Sequence, residues 1–103
     1  MAYVLHYAPD NASLIVRWTL EEMGVPYRTV LVDRSTQAQS SAAYRALNPA
    51  GLLPALETPQ GVLFETAAIL LWLADTHRSM APAPDNPARG AFLSTLFFVS
   101  ISL

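Results

Sequence analysis

Gly51–Asp75, GLLPALETPQGVLFETAAILLWLAD, is the stretch of sequence from which the fold can be worked out. Within it the apolar pair Ala55-Leu56 follows Pro54. Because a proline has no N–H for a β-ladder, we expect a strand that begins at this proline. Thr58–Gly61 has proline at its second position and glycine at its fourth, the pattern of a type I turn. Val62–Phe64 supplies β-branched and aromatic residues for a return strand, so the sequence predicts a β-hairpin.

The residues after the hairpin predict a helix. Thr66 is a candidate N-cap, because threonine is among the residues favoured at that position. Ala67–Ala74 is apolar at every position. A helix that is apolar all round must be covered on more than one side.

The residues before the hairpin predict a βαβ unit and a second helix. Tyr3–Tyr7 is β-branched and aromatic, as buried strands are. Asp10–Ser13 offers several N-cap candidates for a helix that Gly24 ends. Arg28–Val32 predicts a second strand, which runs parallel to the first if the crossover is right-handed. Ala42–Leu47 is helical in pattern and stops ahead of a proline.

The composition changes after the long apolar helix. Met80–Pro87 contains three prolines in eight residues and predicts an extended linker. Ala88–Leu103 predicts one more apolar helix. An apolar helix with nothing of its own to pack on is a liability in water. Either the chain is therefore a fragment, or this helix packs on another subunit.

Composition and charge limit the classes of function. The 103 residues are enough for one domain, and a net charge of −2 with 14% charged residues gives no basic surface for nucleic acid or an anionic membrane. The absence of cysteine excludes disulfides, thiolate zinc sites and thiol chemistry by the protein itself. The first residues lack a basic leader and a long apolar core, so we expect a cytoplasmic protein without a membrane span.

A series of short motifs resembles the N-terminal domain of the glutathione transferases, and of their bacterial members most closely. The series is Asn48-Pro49, Gly51, a residue before a cis-proline at Pro54, the hairpin, and Glu65-Thr66 opening the apolar helix. It extends from Asn48 to Thr66 in the same order as in the family, so it is specific.

The resemblance implies an α/β fold. It implies a thioredoxin-like βαβαββα domain with a mixed four-stranded sheet over residues 1–79 and a linker over residues 80–87. Residues 88–103 would then form the first helix of a truncated C-terminal α-helical domain, which in that family carries much of the site for the electrophile.

The resemblance also implies a catalytic loop. Where the bacterial members often have Ala-Cys-Ser, this chain has Asn11-Ala12-Ser13, so the cysteine is replaced. That leaves Ser13, helped by Asn11, to stabilise the glutathione thiolate, which is the reactive nucleophile. Serine is equally favoured as a plain helix cap, and both roles stay open here. Tyr7 is a weaker candidate, because a tyrosine ending a buried strand more often packs in the core.

The remaining contacts to glutathione follow from the same resemblance. The backbone of Leu53, before Pro54, would bind the cysteinyl part, Glu65 the γ-glutamyl amino group, and Thr66 its carboxylate. Two positions before the expected cis-proline the family commonly has Lys, Gln or His, and this chain has Leu52. One contact to the glycyl carboxylate is therefore absent or supplied elsewhere.

The two histidines are candidates for metal binding or acid–base catalysis. His6 and His77 lie far apart in the pattern and have no carboxylate partner nearby, so we expect neither role and no metal.

The function implied is that of a glutathione transferase. Such an enzyme would use glutathione as co-substrate against a small apolar electrophile, in detoxification, as a homodimer. Isomerase and dehalogenase reactions share this kind of site, and the sequence does not separate them. The alternative is a non-catalytic glutathione-transferase-like module for protein association.

Overall fold

The computed structural model describes residues 2–8, 12–33, 37–48, 51 and 53–102, which form a mixed four-stranded sheet with helices. The elements in chain order are β1 (Tyr3–Tyr7), α1 (Ser13–Met23), β2 (Tyr27–Leu31), α2 (Ala42–Leu47), β3 (Ala55–Thr58), β4 (Gly61–Phe64), α3 (Thr66–His77) and α4 (Arg89–Ser102). A single 3₁₀ turn, Ala38–Ser40, precedes α2. The βαβαββα order and the additional helix are confirmed.

The sheet has the strand order β2-β1-β3-β4. β1 and β2 are parallel, which confirms the predicted βαβ unit. β3 runs antiparallel to both of its neighbours, with Ala55 opposite His6 on β1 and opposite Phe64 on β4. The start of β3 therefore lies between the ends of β1 and β4.

The two faces of the sheet carry cores of different size. Alternate residues of β1 enter the larger core, in which they pack against α1, α3 and β3; its fully buried members include Leu5, Val16, Leu20, Leu56, Ile69 and Leu73. The other face carries a smaller cluster under α2, made by Val32, Tyr44 and Ala55. The alternation of side chains along β1 thus separates a face covered by two helices from a face covered by one.

The apolar helix α3 is covered on several sides, as its composition requires. It contacts α1, β4 and α4. Ile69 and Leu73 have no exposed surface, whereas Ala68 is exposed. The expectation of cover on more than one side is confirmed.

Some predicted boundaries were wrong by a residue or two. β3 begins at Ala55, one residue after the proline, because Pro54 cannot donate to the ladder. β4 begins at Gly61. The cap role for Thr66 is also wrong, since Thr66 is the first helical residue and Glu65 occupies the cap position without a side-chain cap bond. The stop at Gly24 is confirmed, with φ of 68° and its N–H bonded to carbonyls of α1.

Gly51 is held in a left-handed conformation against α2. Its φ is +66°, and a methyl group built on its Cα would lie 3.0 Å from the carbonyl oxygen of Gln39 and 3.3 Å from a guanidinium nitrogen of Arg45. A side chain here therefore meets both backbone strain and a crowded neighbourhood.

Gly51→Ala is expected to destabilise the fold more than Gly24→Ala does. Gly24 also has a positive φ, +68°, but nothing lies within 4 Å of a methyl group built there. Gly24→Ala should therefore lose about 1 kcal/mol from the left-handed backbone alone, and Gly51→Ala about 1 kcal/mol more from crowding. Urea unfolding of both variants measures the difference; equal losses would contradict the crowding.

α4 packs on the rest of the chain through its first half. Phe92 and Leu96 border a cleft of about 150 Å³ whose other walls include Ile15 and Thr19 of α1 and Leu70 of α3. On the rest of the helix Phe97, Phe98, Val99 and Ile101 are exposed. The expectation that this helix has nothing of its own to pack on is therefore wrong for its first half.

Arg89 joins α4 to the end of α3. Its guanidinium donates to the Asp75 carboxylate at 3.2 and 3.3 Å and to the carbonyl of Pro82 at 2.9 Å. It also lies over the ring of Phe92, 5.5 Å from the centroid. One side chain thus links α3, the proline-rich segment and α4. Among the described residues, no helix combines the length and apolar character needed to cross a bilayer.

Candidate functional site

Three segments predicted to bind the ligand meet at one edge of the sheet. The carboxyl end of β1 leads towards α1, and its neighbour β3 runs the opposite way, so the end of β1 lies beside the residues that precede Ala55. Ala55 in turn pairs with Phe64, so Leu53 and Pro54 lie across from Glu65 and the start of α3. The sheet register therefore brings together three segments of the chain. The start of α1 is about 40 residues from Leu53, and Leu53 is about 10 residues from Glu65.

Ser13 is the first residue of α1 and is 2% exposed. Its Oγ accepts a long hydrogen bond, 3.4 Å, from the N–H of Ala8 at the end of β1. The cap position is taken by Ala12, in a helical conformation with no side-chain cap bond. The alternative that Ser13 is a plain N-cap is therefore wrong. Asn11, its predicted helper, lies outside the described residues.

Leu53 and Pro54 are joined by a cis peptide bond, as the family motif implies. Leu53 is half-buried and Pro54 is buried. Leu52, the position at which the motif departs from the family, lies outside the part of the chain that the structure describes.

Glu65 has an unusual backbone conformation at the start of α3. Its φ is +73° and its ψ is 120°, although it is not a glycine, and its side chain is exposed. A non-glycine residue with such a φ carries strain of roughly 1–3 kcal/mol, and strain of this kind collects at functional sites. Thr66 follows at the first helical position and is 8% exposed. The positive end of the helix dipole and an exposed carboxylate thus lie side by side.

Two histidines have partners that the sequence did not reveal. His6 Nε2 lies 2.6 Å from the Glu57 carboxylate, so the expectation that His6 lacks a carboxylate neighbour was wrong. Both residues lie on neighbouring strands, and only the register of those strands brings them together. His77 forms a hydrogen bond of 2.7 Å with the hydroxyl of Tyr3, at the opposite end of β1 from the candidate site.

The tyrosines next to these groups stay protonated near neutral pH. Burial raises the pKa of the Tyr3 phenol. Burial also raises the pKa of Tyr44, and a hydrogen bond with Asn48 offsets this in part. Within the described ranges, no group of three or more His, Asp or Glu side chains could hold a metal ion.

Comparison with known proteins points to one family. The model of the glutathione S-transferase N-terminal domain matches residues 12–76. Glutathione S-transferase F9 of Arabidopsis thaliana is 34% identical over 80 residues, which are 78% of this chain and 36% of the relative. Maleylpyruvate isomerase of Ralstonia sp. is 36% identical over 69 residues, 67% of this chain and 32% of the relative. The chain thus spans about a third of the length of these curated relatives.

Solved structures of glutathione transferases are also similar to this chain. A glutathione transferase homologue from Sulfitobacter, crystallised with bound glutathione, superimposes with a TM-score of 0.86 at 31% identity. The match covers 96% of this chain and 49% of that one. The thioredoxin-like fold of the first seven elements and the helix that follows them are common to both.

Proposed function

The chain belongs to the glutathione transferase family, and on that basis we propose that it binds glutathione and activates the thiolate for attack on an apolar electrophile. The observation that carries this proposal is the convergence of Ser13, Leu53 and Glu65-Thr66 at one edge of the sheet. These residues match the family motif, and they come from three separate segments of the chain.

The peptide part of the ligand would lie across the end of the hairpin. The backbone N–H and C=O of Leu53 would bind the cysteinyl residue as an added strand does, whatever the side chain. The exposed Glu65 carboxylate would pair with the γ-glutamyl ammonium group. Thr66, with its hydroxyl and N–H at the positive end of α3, would hold the γ-glutamyl carboxylate.

Ser13 would donate its hydroxyl hydrogen to the glutathione sulfur, and Asn11 would assist it. A hydrogen bond to a charged acceptor contributes about 1.5–3 kcal/mol. That lowers the thiol pKa by roughly one to two units from its ordinary value of about 8.5, so much of the bound thiol is ionised at pH 7. The thiolate then forms a carbon–sulfur bond with the electrophile as the leaving group departs.

The proposal extends to the organisation of the chain. We assign residues 1–79 to the glutathione-binding domain, 80–87 to a linker and 88–103 to the start of a helical domain. The exposed apolar side chains of α4 support a homodimer. Membership of the glutathione transferase family supports a role in detoxification in the cytoplasm, and a net charge of −2 gives no support to nucleic acid or membrane partners. Light scattering on the purified chain measures the dimer; a monomer at all concentrations contradicts it.

Two other reactions, isomerisation and dehalogenation, differ from conjugation in the electrophile that is used, and a non-catalytic role is a third alternative. An isomerase or a dehalogenase would use the same glutathione site. The similarity to a maleylpyruvate isomerase supports the isomerase reaction as an alternative to conjugation. A non-catalytic association module is less well supported, since the glutathione-binding positions Glu65-Thr66 are intact and the segments converge.

Calorimetric titration with glutathione tests the proposal, together with conjugation of an aromatic halide in the same buffer. We expect saturable binding and a rate above the uncatalysed reaction. A folded protein that shows no heat of binding at millimolar glutathione overturns the proposal and leaves the association module. Binding without conjugation, but with turnover of an unsaturated or halogenated acid, assigns the isomerase or dehalogenase class.

A further inference from the structure

A cleft under α2 lies apart from the candidate glutathione site. It has a volume of about 230 Å³ and is bounded by α2 on one side and by the edge strand β2 on the other. The segments proposed to bind the peptide are farther along the sheet, because Leu53 precedes β3 and Glu65 follows β4, and β1 separates both strands from β2. The cleft is therefore not part of the site for glutathione.

The sequence of α2 explains why this space remains open. The helix has six residues, three of which are alanine, and Tyr44 is the one that is buried. Tyr44 packs with Val32 and Ala55. On the side towards β2 the small side chain of Ala43 leaves a gap, which Leu47 and residues 30–32 border.

Most of the walls of the cleft are apolar, and two of the polar side chains that line it already have partners. Ser41 Oγ accepts a hydrogen bond of 3.1 Å from the N–H of Tyr44. The phenol of Tyr44 is hydrogen-bonded to the side chain of Asn48. His6 is the third polar side chain in the wall.

His6 has one nitrogen with a partner and one without. The residue is 6% exposed, and its Nε2 lies 2.6 Å from the Glu57 carboxylate. A carboxylate only accepts, so Nε2 carries the hydrogen, and Nδ1 of the neutral ring is an acceptor. Within the described part of the chain no hydrogen bond reaches Nδ1. Nδ1 is nevertheless accessible, since among the described residues only Gln39 has an enclosed side-chain atom without a partner.

The size and polarity of the cleft together define a class of ligand. An apolar cavity of about 150 Å³ holds one benzene molecule, so the larger cleft here holds one ring with a small substituent. A buried water needs roughly two to four polar partners, whereas this cleft offers one unused acceptor. We propose that the cleft is a second ligand site, for a single-ring aromatic alcohol such as phenol, and that Nδ1 of His6 accepts the hydroxyl hydrogen.

The test compares phenol with toluene, which has the same size and lacks the donor. Backbone amide NMR spectra of the native chain, recorded without glutathione, give both the dissociation constants and the location of each ligand. Phenol is expected to bind saturably and to shift the amides of residues 30–32 and of α2. It should bind about tenfold more tightly than toluene, because toluene would leave the buried acceptor unpaired.

Three variants separate the hydrogen bond from the cavity. His6→Phe keeps a ring and removes the acceptor, so phenol and toluene should bind with equal affinity. His77→Phe is the matched control, since it removes the histidine at the opposite end of β1 and should leave the tenfold preference unchanged. Val30→Trp should abolish binding of both ligands, because Val30 lies opposite His6 on the same face of the sheet and the larger ring fills the cleft.

Circular dichroism and urea midpoints check that each variant is folded. If His6→Phe does not fold, the comparison of phenol with toluene on the native chain and the Val30→Trp variant still decide the outcome. No binding of phenol overturns the proposal, and so do shifts confined to α4, where Phe97 and Phe98 offer another exposed apolar surface. Equal affinities of the native chain for phenol and toluene overturn the role of His6, as does a tenfold preference that persists in His6→Phe. Glutathione is absent from these measurements, so their failure leaves the proposed function standing.

Discussion

Replacing Glu65 by glutamine is expected to raise the dissociation constant for glutathione by roughly 10- to 100-fold. Glutamine keeps the shape of the side chain and removes its charge, so the γ-glutamyl ammonium group loses a charge-assisted partner. Such a bond contributes about 1.5–3 kcal/mol, and about 1.4 kcal/mol corresponds to tenfold in affinity. Calorimetric titration of both proteins in the same buffer gives the ratio.

Glu65→Gly separates the role of the carboxylate from that of the backbone. Position 65 has a φ of +73°, which glycine adopts freely and glutamate does not. The substitution releases strain of roughly 1–3 kcal/mol in the folded state. The greater flexibility of glycine in the unfolded chain lowers the free energy of unfolding by about 0.5–1 kcal/mol. The glycine variant should therefore be as stable as the native chain, or more so by about 1 kcal/mol, while its glutathione affinity falls as in Glu65→Gln.

Such a pair of results would mean that the fold tolerates strain at position 65 in order to present a carboxylate. Thermal unfolding and calorimetry on the same samples measure both quantities. A glycine variant that is clearly destabilised contradicts the strain argument, and a glutamine variant with native affinity contradicts the binding role. Glu22→Gln serves as the matched control, because it removes a carboxylate from an exposed position near the end of α1, away from the candidate site.

Ser13→Ala is expected to lower the rate of conjugation at pH 6.5–7 by roughly 10- to 100-fold, the equivalent of the lost hydrogen bond to the thiolate. In the native complex the thiol pKa is lowered, so the reactive thiolate is present above that lower pKa and is lost as the pH falls through it. Without the hydroxyl the pKa returns towards about 8.5, and the rate of the variant should still be rising there. The two rates should therefore approach each other at alkaline pH.

The pH dependence of kcat at saturating glutathione measures this shift, and the ultraviolet absorbance of the bound thiolate measures it without turnover. Ser13→Thr keeps a hydroxyl and should keep most of the lowered pKa, at some loss of stability because Ser13 is 2% exposed and leaves little room for a methyl group. A Ser13→Ala variant with an unchanged profile would show that Ser13 only supports the packing between α1 and the end of β1. The hydrogen bond that Ser13 Oγ accepts from the N–H of Ala8 is the contact through which this structural role would act.

Local pattern was sufficient for the elements of this chain. The proline–glycine turn at Thr58–Gly61, the β-branched and aromatic strand at Tyr3–Tyr7 and the stop at Gly24 each depend on residues close together in sequence, and each is found in the structure. Boundaries were less certain, as Thr66 shows. Threonine is favoured at the cap position, so Thr66 was expected there. In the structure Glu65, with its positive φ, occupies the cap position, and the helix begins one residue earlier than expected, at Thr66.

Contacts between distant residues could not be derived in the same way. His6 and Glu57 are 51 positions apart, and their pairing depends on the register of β1 against β3. The contact of Arg45 with Gly51 depends on how α2 lies against the segment before the cis-proline. Neither pattern is visible as a period, a spacing or a motif.

The sequence by itself determined the order and type of the elements, the family motif and the candidate residues, because these depend on local propensity and on short spacings. Only the tertiary structure decided that Ser13 is not a helix cap, that Glu65 carries a strained backbone, and that Arg45 lies beside the segment before the cis-proline. The physical reason is that burial, dihedral strain and the approach of charged groups are properties of the packed chain. They arise only when strand register and helix packing bring together segments tens of residues apart.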